Sequence, residues 1–154
     1  MGRLDGRVAL VTGASRGFGR AIALAFAQEG ADVVVNYRAS AAGAAEVAAA
    51  IEKLGRRALV MQADVARDAD VRALVASALS RFGRLDLLVN NAGIMERGIF
   101  ADIPVATYAR MFETNVTGTM LCTRAALPAM IERRYGRIVN VSSQLARRLE
   151  RHAA

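Results

Sequence analysis

The sequence predicts an α/β fold in three layers, with a doubly wound parallel sheet between two layers of helices. Short apolar runs rich in β-branched residues alternate with longer segments of helical periodicity. Glycine or charged residues bound the runs, which is typical of strands buried on both faces. A glycine-rich turn follows the first run. The expected strand order is 3-2-1-4-5, because a doubly wound sheet adds its first strands on one side of strand 1 and the later ones on the other side. The five runs lie at residues 8–11, 33–35, 58–61, 87–89 and 138–141.

The segments between the first four runs carry the signals of helix ends. Ser40 and Asp68 belong to the residue types that are favoured at the N-cap of a helix. Gly30, Gly55 and Gly83 each follow the last predicted turn of a helix, where glycine is common. The third helical segment also has one apolar face, so it is expected to pack on the sheet.

The segment from about Thr107 to Arg134 predicts a long helix that is unusually apolar for an outer layer. Gly118 and Pro128 interrupt it, and a proline inside a helix removes a backbone hydrogen bond, so a kink is expected. Its apolar surface needs a partner, either the rest of the domain or another subunit. The fifth run would form an exposed edge strand beside it, and such an edge favours self-association.

Size and composition indicate one domain. The chain has 154 residues, 16.4 kDa and 54% hydrophobic residues, which is enough for a single core. We expect the domain at residues 1–144 and a basic tail at 145–154 that is poorly ordered or forms a short helix. The single cysteine, Cys122, excludes a disulfide framework, and no metal site is predicted. Membrane-spanning and signal-peptide patterns are missing, so a cytoplasmic protein without membrane contact is expected.

The net charge of +7 argues little for nucleic-acid binding. Aromatic residues make up only 5% of the chain and are not interleaved with the basic residues, so a platform for stacking bases is not expected. A solvated basic surface is the simpler interpretation. The excess of charge lies mostly after residue 130, at Arg133, Arg134, Arg137, Arg147, Arg148 and Arg151.

The glycine-rich turn at residues 12–19 reads Thr-Gly-Ala-Ser-Arg-Gly-Phe-Gly, between a predicted strand and a predicted helix. Glycines there let the backbone approach a pyrophosphate closely, and a helix N-terminus offers free N–H groups and a positive dipole. The spacing G-x-x-x-G-x-G differs from the G-x-G-x-x-G of other dinucleotide folds. A purely structural turn is the alternative, but the position inside the first β-α-β unit favours a nucleotide site.

Five short motifs in this order resemble the short-chain dehydrogenase/reductase family over residues 5 to about 144. The motifs are the turn at 12–19, Asp64-Val65, Asn90-Asn91-Ala92-Gly93, Glu113-Thr114-Asn115-Val116 and Val141-Ser142-Ser143. The chain is similar in style to the 3-oxoacyl-[acyl-carrier-protein] reductases of that family. The resemblance implies a Rossmann-like sheet and an NAD(P)-dependent oxidoreductase that acts on CH–OH groups.

The resemblance also implies roles for individual residues. Asp64 and Val65 would contact the adenine ring, and residues 91–93 would line the floor under the adenine ribose. Asn115 belongs to the family's catalytic group, where its helix supports a water in the proton relay, and Ser143 would hydrogen-bond the substrate carbonyl. From the residues alone, Asp64 as an N-cap and the asparagines as turn residues remain alternatives. The residues expected to contact the cofactor are Gly13, Ser15, Arg16, Gly17, Phe18, Gly19, Arg38, Asp64, Val65, Asn91, Ala92 and Gly93.

The choice of cofactor depends on the end of the second strand, which reads Val-Asn-Tyr-Arg at residues 35–38. It lacks the carboxylate that binds the ribose 2′-hydroxyl in NAD sites. Arg16 and Arg38 could both face a 2′-phosphate, and the planar fork of arginine suits a phosphate well. The sequence therefore favours NADP(H) over NAD(H). The alternative is that both are exposed surface arginines.

The family's chemistry also uses a Tyr-x-x-x-Lys pair after the serine, with the tyrosine as acid/base and the lysine lowering its pKa. The last tyrosine here is Tyr135 and the only lysine is Lys53, so neither role is filled after Ser143. We expect a C-terminally truncated relative of enzymes that interconvert a ketone and a secondary alcohol, with doubtful activity. An inactive fragment that binds nucleotide or associates with related subunits is the alternative. Expected partners are a small carbonyl or alcohol substrate and further copies of the chain.

Overall fold

The computed structural model describes residues 2–143, and its elements follow the predicted alternation. The strands are β1 (Val8–Val11), β2 (Asp32–Tyr37), β3 (Ala58–Gln62), β4 (Leu87–Asn90) and β5 (Arg137–Asn140). The α-helices are α1 (Gly17–Gln28), α2 (Ala41–Lys53), α3 (Asp68–Phe82), α4 (Val105–Phe112) and α5 (Gly118–Glu132). No helix within residues 2–143 is long and apolar enough to cross a membrane. The predicted basic tail at 145–154 lies outside the described residues.

The five strands form one parallel sheet in the order β3-β2-β1-β4-β5, which confirms the predicted topology. Ala9 on the central strand β1 lies beside Val33 on β2 and Leu87 on β4. The winding reverses between β1 and β4. The turn after β1 and the loop after β4 therefore meet at the carboxyl edge of the sheet, where α/β folds bind ligands.

Each face of the sheet supports its own core, as a three-layer fold requires. Successive residues of a strand point to opposite faces, so Leu10 and Val34 belong to one cluster while Val11, Val33 and Val35 belong to the other. Helices α3 and α5 close the first cluster with Val71, Leu74, Val75, Ala78, Cys122, Ala126 and Met130. Helices α1 and α2 close the second with Ala23, Ala27, Ala44, Val47 and Ile51.

The C-terminal ends of the first three helices are where the glycines predicted them. Gly83 caps α3 with a left-handed φ of 72°, and its N–H donates to the carbonyl of Leu79 over 2.7 Å. Gly30 and Gly55 follow the cap residues of α1 and α2 and also have positive φ. A residue with a side chain would be strained in this conformation.

The N-terminal ends agree less well with the sequence. Ser40 is the N-cap residue of α2, but its side chain makes no capping hydrogen bond. The prediction for Asp68 is wrong by one position, since Arg67 is the N-cap of α3 and Asp68 is its first helical residue. The Asp68 carboxylate instead accepts a 2.6 Å hydrogen bond from Arg124 and pairs with Arg72 over 3.1 Å. Asp68 therefore links α3 to α5.

The long apolar segment divides before the expected proline. A wider, π-type turn at Glu113–Thr117 joins α4 to α5, and a short 3-10 turn at Phe100–Asp102 precedes α4. Gly118 then starts α5, with Val65 so close that a Cβ on Gly118 would lie 2.8 Å from the Val65 Cγ2. Pro128 lies inside α5, which continues to Glu132. The helix is therefore interrupted at residues 113–117, just before Gly118, which is itself helical, and α5 runs through Pro128.

A buried carboxylate joins three strands at the amino edge of the sheet. The side chain of Asp86 is 1% exposed and accepts hydrogen bonds from Arg84 (2.6 Å), Arg7 (3.2 Å) and the Val8 N–H (2.9 Å). The Asp86 carbonyl accepts the N–H of Arg137 at the start of β5. Burial alone would raise the pKa of Asp86, but the hydrogen bonds from Arg84 and Val8 and the charge of Arg84 outweigh it and hold that pKa below its usual value.

Candidate functional site

A cleft of about 580 Å³ opens at the carboxyl edge of the sheet, above the ends of β1, β2, β3 and β4. It lies at the reversal of the strand order, where a doubly wound sheet offers its crevice. Every residue that the sequence nominated for cofactor contact lines this cleft: Gly13, Ser15, Arg16, Gly17, Phe18, Gly19, Arg38, Asp64, Val65, Asn91, Ala92 and Gly93. The sequence did not nominate Asn36, Ala39, Ser40, Ala63, Ile94 and Thr114, which line it as well.

The turn between β1 and α1 brings backbone groups to the wall of the cleft. Gly13 has a left-handed φ of 63°, and a Cβ there would lie 3.0 Å from the Cα of Ala92. Gly19 is buried against the side chain of Asn91, so it also leaves no room for a larger residue. The first turn of an α-helix has N–H groups without helical partners, and α1 begins at Gly17. The turn therefore presents donors that suit an anion such as a pyrophosphate.

Thr12 and Asn91 fasten this turn to the loop after β4. The Thr12 hydroxyl accepts the N–H groups of Asn91 and Ala92, each over 3.0 Å, and donates to the Val89 carbonyl over 3.2 Å. The Asn91 side-chain amide donates to the carbonyls of Thr12 (2.8 Å) and Gly13 (3.2 Å). Asn91 thus supports the floor of the cleft. Thr12 lies beneath it, and the sequence analysis gave Thr12 no role of its own.

Arg38 and Asp64 face each other at the far end of the cleft. Their closest side-chain nitrogen and oxygen are 3.9 Å apart, and the Arg38 side chain is 51% exposed. The Gln62 side chain holds the Arg38 carbonyl over 2.9 Å. Asp64 is fixed within its own loop, because its carboxylate accepts the Ala66 N–H and its N–H donates to Asp70. Because the contact with Asp64 is long and the Arg38 side chain is half exposed, its guanidinium is accessible to an anion in the cleft.

Asn36 is a buried polar residue of the cleft that the sequence analysis overlooked. It ends the valine run of β2, is 1% exposed and lies between the glycine turn and the loop after β3. Its Oδ1 accepts the N–H of Gly13 over 3.2 Å, and its Nδ2 donates to the Ala63 carbonyl over 3.1 Å. A polar residue at the end of a run of buried valines was the available signal, since buried polar groups need partners.

Asn115 lies in the wider turn between α4 and α5 and does not itself line the cleft, but it contacts Ile94, which does. Its Oδ1 accepts the N–H of Ile94 and its Nδ2 donates to the Ile94 carbonyl, both over 2.9 Å. A Cβ on Gly93 would lie 3.3 Å from the same Oδ1, so glycine gives this contact its room. Turns of this kind are frequent at functional sites. The side chain holds the loop after β4 against the helical layer.

Ser143 follows β5 at the same carboxyl edge and is exposed. Two contacts hold the end of β5 beside β4: the Val141 N–H donates to the Asn90 carbonyl over 3.0 Å, and the Asn90 side chain donates to Asn140 over 2.9 Å. The topology therefore brings Ser143 to the edge that carries the turn at 12–19 and the loop after β4.

The single cysteine lies in the hydrophobic core. Cys122 is buried in α5, and burial raises the pKa of its thiol to about 12. It therefore stays protonated near neutral pH, and it is not among the residues that line the cleft. Within residues 2–143, His, Cys, Asp and Glu side chains form no group of three or more that could hold a metal ion.

Comparison with known families decides the family of the chain. Residues 7–153 match the family described as short chain dehydrogenase. This chain belongs to the short-chain dehydrogenase family. Among curated relatives, it is 48% identical to an uncharacterised oxidoreductase of Methylorubrum extorquens over 93% of this chain and 57% of the relative. It is 43% identical to a 3-oxoacyl-[acyl-carrier-protein] reductase of Synechocystis over 93% of this chain and 58% of that enzyme.

Solved structures of short-chain dehydrogenases share the fold. A short-chain dehydrogenase from Burkholderia cenocepacia in complex with NADP superposes with a TM-score of 0.88 at 44% identity, covering 96% of this chain and 59% of the other. A 7α-hydroxysteroid dehydrogenase complexed with NADH and a 7-oxo bile acid gives a TM-score of 0.90 at 36% identity, over 95% and 56%. The chain thus spans less than two thirds of the length of these relatives.

Proposed function

We propose that the chain forms the nucleotide-binding part of an NADP(H)-dependent oxidoreductase that interconverts a ketone and a secondary alcohol, in the manner of a 3-oxoacyl reductase. Membership of the short-chain dehydrogenase family supports the reaction class. The 43% identity to the Synechocystis enzyme supports the type of substrate. A reduced, cytoplasmic setting suits a chain whose one cysteine is a free, buried thiol.

The arginines of the cleft carry the choice of NADP(H) over NAD(H). Arg16 and Arg38 line the same cleft, one on the glycine turn and one directly after β2. The end of β2 has no carboxylate, so the group that would repel a 2′-phosphate and accept from a 2′-hydroxyl is missing there. Asp64, the nearest carboxylate that pairs with Arg38, belongs to the neighbouring loop. A 2′-phosphate would offer Arg38 a stronger, charge-assisted partner.

The other nominated residues fit the same assignment. The turn at 12–19 and the start of α1 would take the pyrophosphate, residues 91–93 the adenine ribose, and Asp64 with Val65 the adenine ring. NADPH supplies the hydride when it is bound. Ser143 would then donate a hydrogen bond to the substrate carbonyl, and Asn115 would keep the loop after β4 at the site.

A nucleotide titration with a matched charge control tests the cofactor assignment. We expect the 154-residue chain to bind NADP more tightly than NAD, because a 2′-phosphate gains charge-assisted hydrogen bonds. Arg38→Asp should weaken NADP binding by about tenfold or more and favour NAD. Arg133→Asp changes the net charge equally but lies beyond α5, outside the cleft, and should leave the preference intact. Equal affinity of the native chain for both nucleotides would refute the assignment.

The alternative is a nucleotide-binding or subunit-associating fragment without activity of its own. The tyrosine and lysine that the family resemblance implies for acid/base chemistry after Ser143 are not among these 154 residues. Loss of such a group costs about two to four orders of magnitude in rate. NADPH oxidation with a 3-oxoacyl thioester distinguishes the two: binding without turnover supports the fragment, whereas turnover by the chain supports the enzyme.

A further inference from the structure

The carboxamide of Asn36 lies where three segments of the cleft wall meet. Asn36 is the last residue but one of β2, whose end lies between the turn after β1 and the loop after β3. The side chain is buried at 1% exposure, although it follows three valines of a core strand. Burying a polar group in such a place is unfavourable unless its hydrogen bonds are replaced.

The hydrogen bonds of Asn36 reach main-chain groups on both sides. On the side of the glycine turn, Oδ1 accepts the Gly13 N–H over 3.2 Å and the backbone carbonyl of Asn36 accepts the Ala14 N–H over 2.8 Å. On the other side, Nδ2 donates to the carbonyls of Ala63 (3.1 Å) and Met61 (3.4 Å). One planar group therefore connects the proposed pyrophosphate turn to the segment that leads into Asp64.

Few side chains could make this connection. The bridge needs an acceptor for the Gly13 N–H and a donor for the Ala63 carbonyl within one short side chain, and a carboxamide supplies both. A carboxylate would supply acceptors only and would oppose the Ala63 carbonyl. An aliphatic side chain would leave both backbone groups buried without that partner, which destabilises the local structure.

We infer that Asn36 is a positioning residue that fixes the separation of the glycine turn and the loop after β3 before a nucleotide binds. The effect on nucleotide affinity rests on the proposed function, whereas the hydrogen-bonded bridge does not. A site held in its binding geometry loses less conformational freedom on binding, and so binds more tightly. The bridge would thus set nucleotide affinity without Asn36 taking part in the chemistry.

Hydrogen exchange tests the bridge without any nucleotide. Asn36→Ala in the full 154-residue chain should speed exchange of backbone amides in both residues 12–19 and 63–67, because both segments lose their shared partner. Ile51→Val, at the far end of α2 from the cleft, is the control: it should lower stability without a selective effect on these two segments. Faster exchange in neither segment, or in only one, overturns the inference.

A pH titration of Asn36→Asp separates positioning from simple stabilisation. A protonated carboxyl can donate to the Ala63 carbonyl and accept from Gly13 as the amide does, whereas the ionised form cannot. Burial raises the pKa of the new carboxyl. The charged side chains that line the same cleft are Arg16, Arg38 and Asp64. Protection of the two segments should therefore return at low pH in Asn36→Asp but not in Asn36→Ala.

The affinity for 2′,5′-ADP, measured as a ratio to the native chain at each pH, gives the functional consequence. We expect Asn36→Ala to lose about tenfold at every pH and Asn36→Asp to recover as the pH falls. A lower melting temperature with unchanged affinity in both variants would mean a structural role only and would overturn the inference. If the native chain binds neither 2′,5′-ADP nor NADP, the proposed function fails, while the exchange experiment still decides the bridge.

Discussion

The two edge strands occupy matching places in one sheet, yet only one is covered on both faces. Val60 of β3 pairs with Val35, and Val139 of β5 pairs with Val89. Val35 and Val89 belong to the same core cluster, so Val60 and Val139 flank the same layer from opposite edges. Val60 packs against that cluster, whereas Val139 is 48% exposed.

The neighbouring helices explain this difference better than strand composition does. Both strands place an apolar residue on each face of the sheet, but β3 lies between α2 and α3 in the chain, and these helices cover opposite faces. β5 follows α5, and Ile138 packs against the cluster that α5 closes. Within residues 2–143 no helix follows β5 to cover the side of Val139. An edge strand in this fold is therefore buried by the helices before and after it.

The same substitution at the two matched valines should have unequal effects on stability. Val60→Lys places a charge against the second core cluster and should lower the free energy of unfolding by about 3 kcal/mol. Val139→Lys alters an exposed position and should change it by no more than about 0.5 kcal/mol. Urea denaturation of both variants measures the difference. Equal losses would show that the exposed face of β5 is covered in solution.

Loss of the Asp86 carboxylate, near the start of β5, should have the next largest effect on stability. Asp86→Asn removes a buried carboxylate from Arg84 and Arg7 and should cost about 2 kcal/mol. Because the folded pKa of Asp86 is lowered, its stabilisation is complete above the unfolded value of about 3.9 and is lost as pH falls through the folded value. Thermal melts should show this acid-side loss in the native chain and a smaller one in the variant.

Self-association should depend on the uncovered edge rather than on apolar exposure in general. Light scattering across a concentration series should show association of the native chain, because within residues 2–143 β5 is an edge strand that pairs with β4 alone, and its Val139 is 48% exposed. Val139→Lys should shift association to higher concentration. Val105→Lys, at an 81% exposed position on α4, is the matched control and should have little effect. A native chain that stays monomeric at all concentrations would contradict this prediction.

The smallest effect is expected on the labelling rate of Cys122, on the face of β5 that α5 covers. Cys122 lies in that interface, and its burial raises the thiol pKa to about 12. Labelling by a thiol reagent at pH 8 should therefore be slow in the native chain and fast in denaturant. Val139→Lys should leave the labelling rate unchanged, since it lies on the opposite face. Fast labelling of the native chain would mean that α5 opens readily.

The strands and their order could be predicted because strands that are buried on both faces consist of continuous apolar runs. Helix starts were harder to predict. Asp68 fits the N-cap preference, but it lies one position inside α3, where it pairs with Arg124 far along the chain. Local preference cannot foresee such a tertiary partner.

The lining of the cleft was predictable because its residues occur in short motifs, whereas the supports beneath it were not. Thr12 and Asn36 act through partners that are distant in sequence, such as the Val89 and Ala63 carbonyls. Neither side chain has a local pattern that indicates these partners. Asn36 differs from its neighbours only as a polar residue at the end of a run of valines. That signal marks the position but does not show which groups it would bond.

The hydrogen bonds around the glycine turn have a consequence for exchanging parts between related enzymes. Thr12, Asn36 and Asn91 support the turn from three different places in the chain. A chimera that received only residues 13–19 from a relative would carry the amides but not the groups that hold them in place. The smallest unit that can be exchanged is therefore discontinuous in sequence. A chimera with a junction between β1 and β4 should fold properly only when these three side chains come from the same parent as the turn.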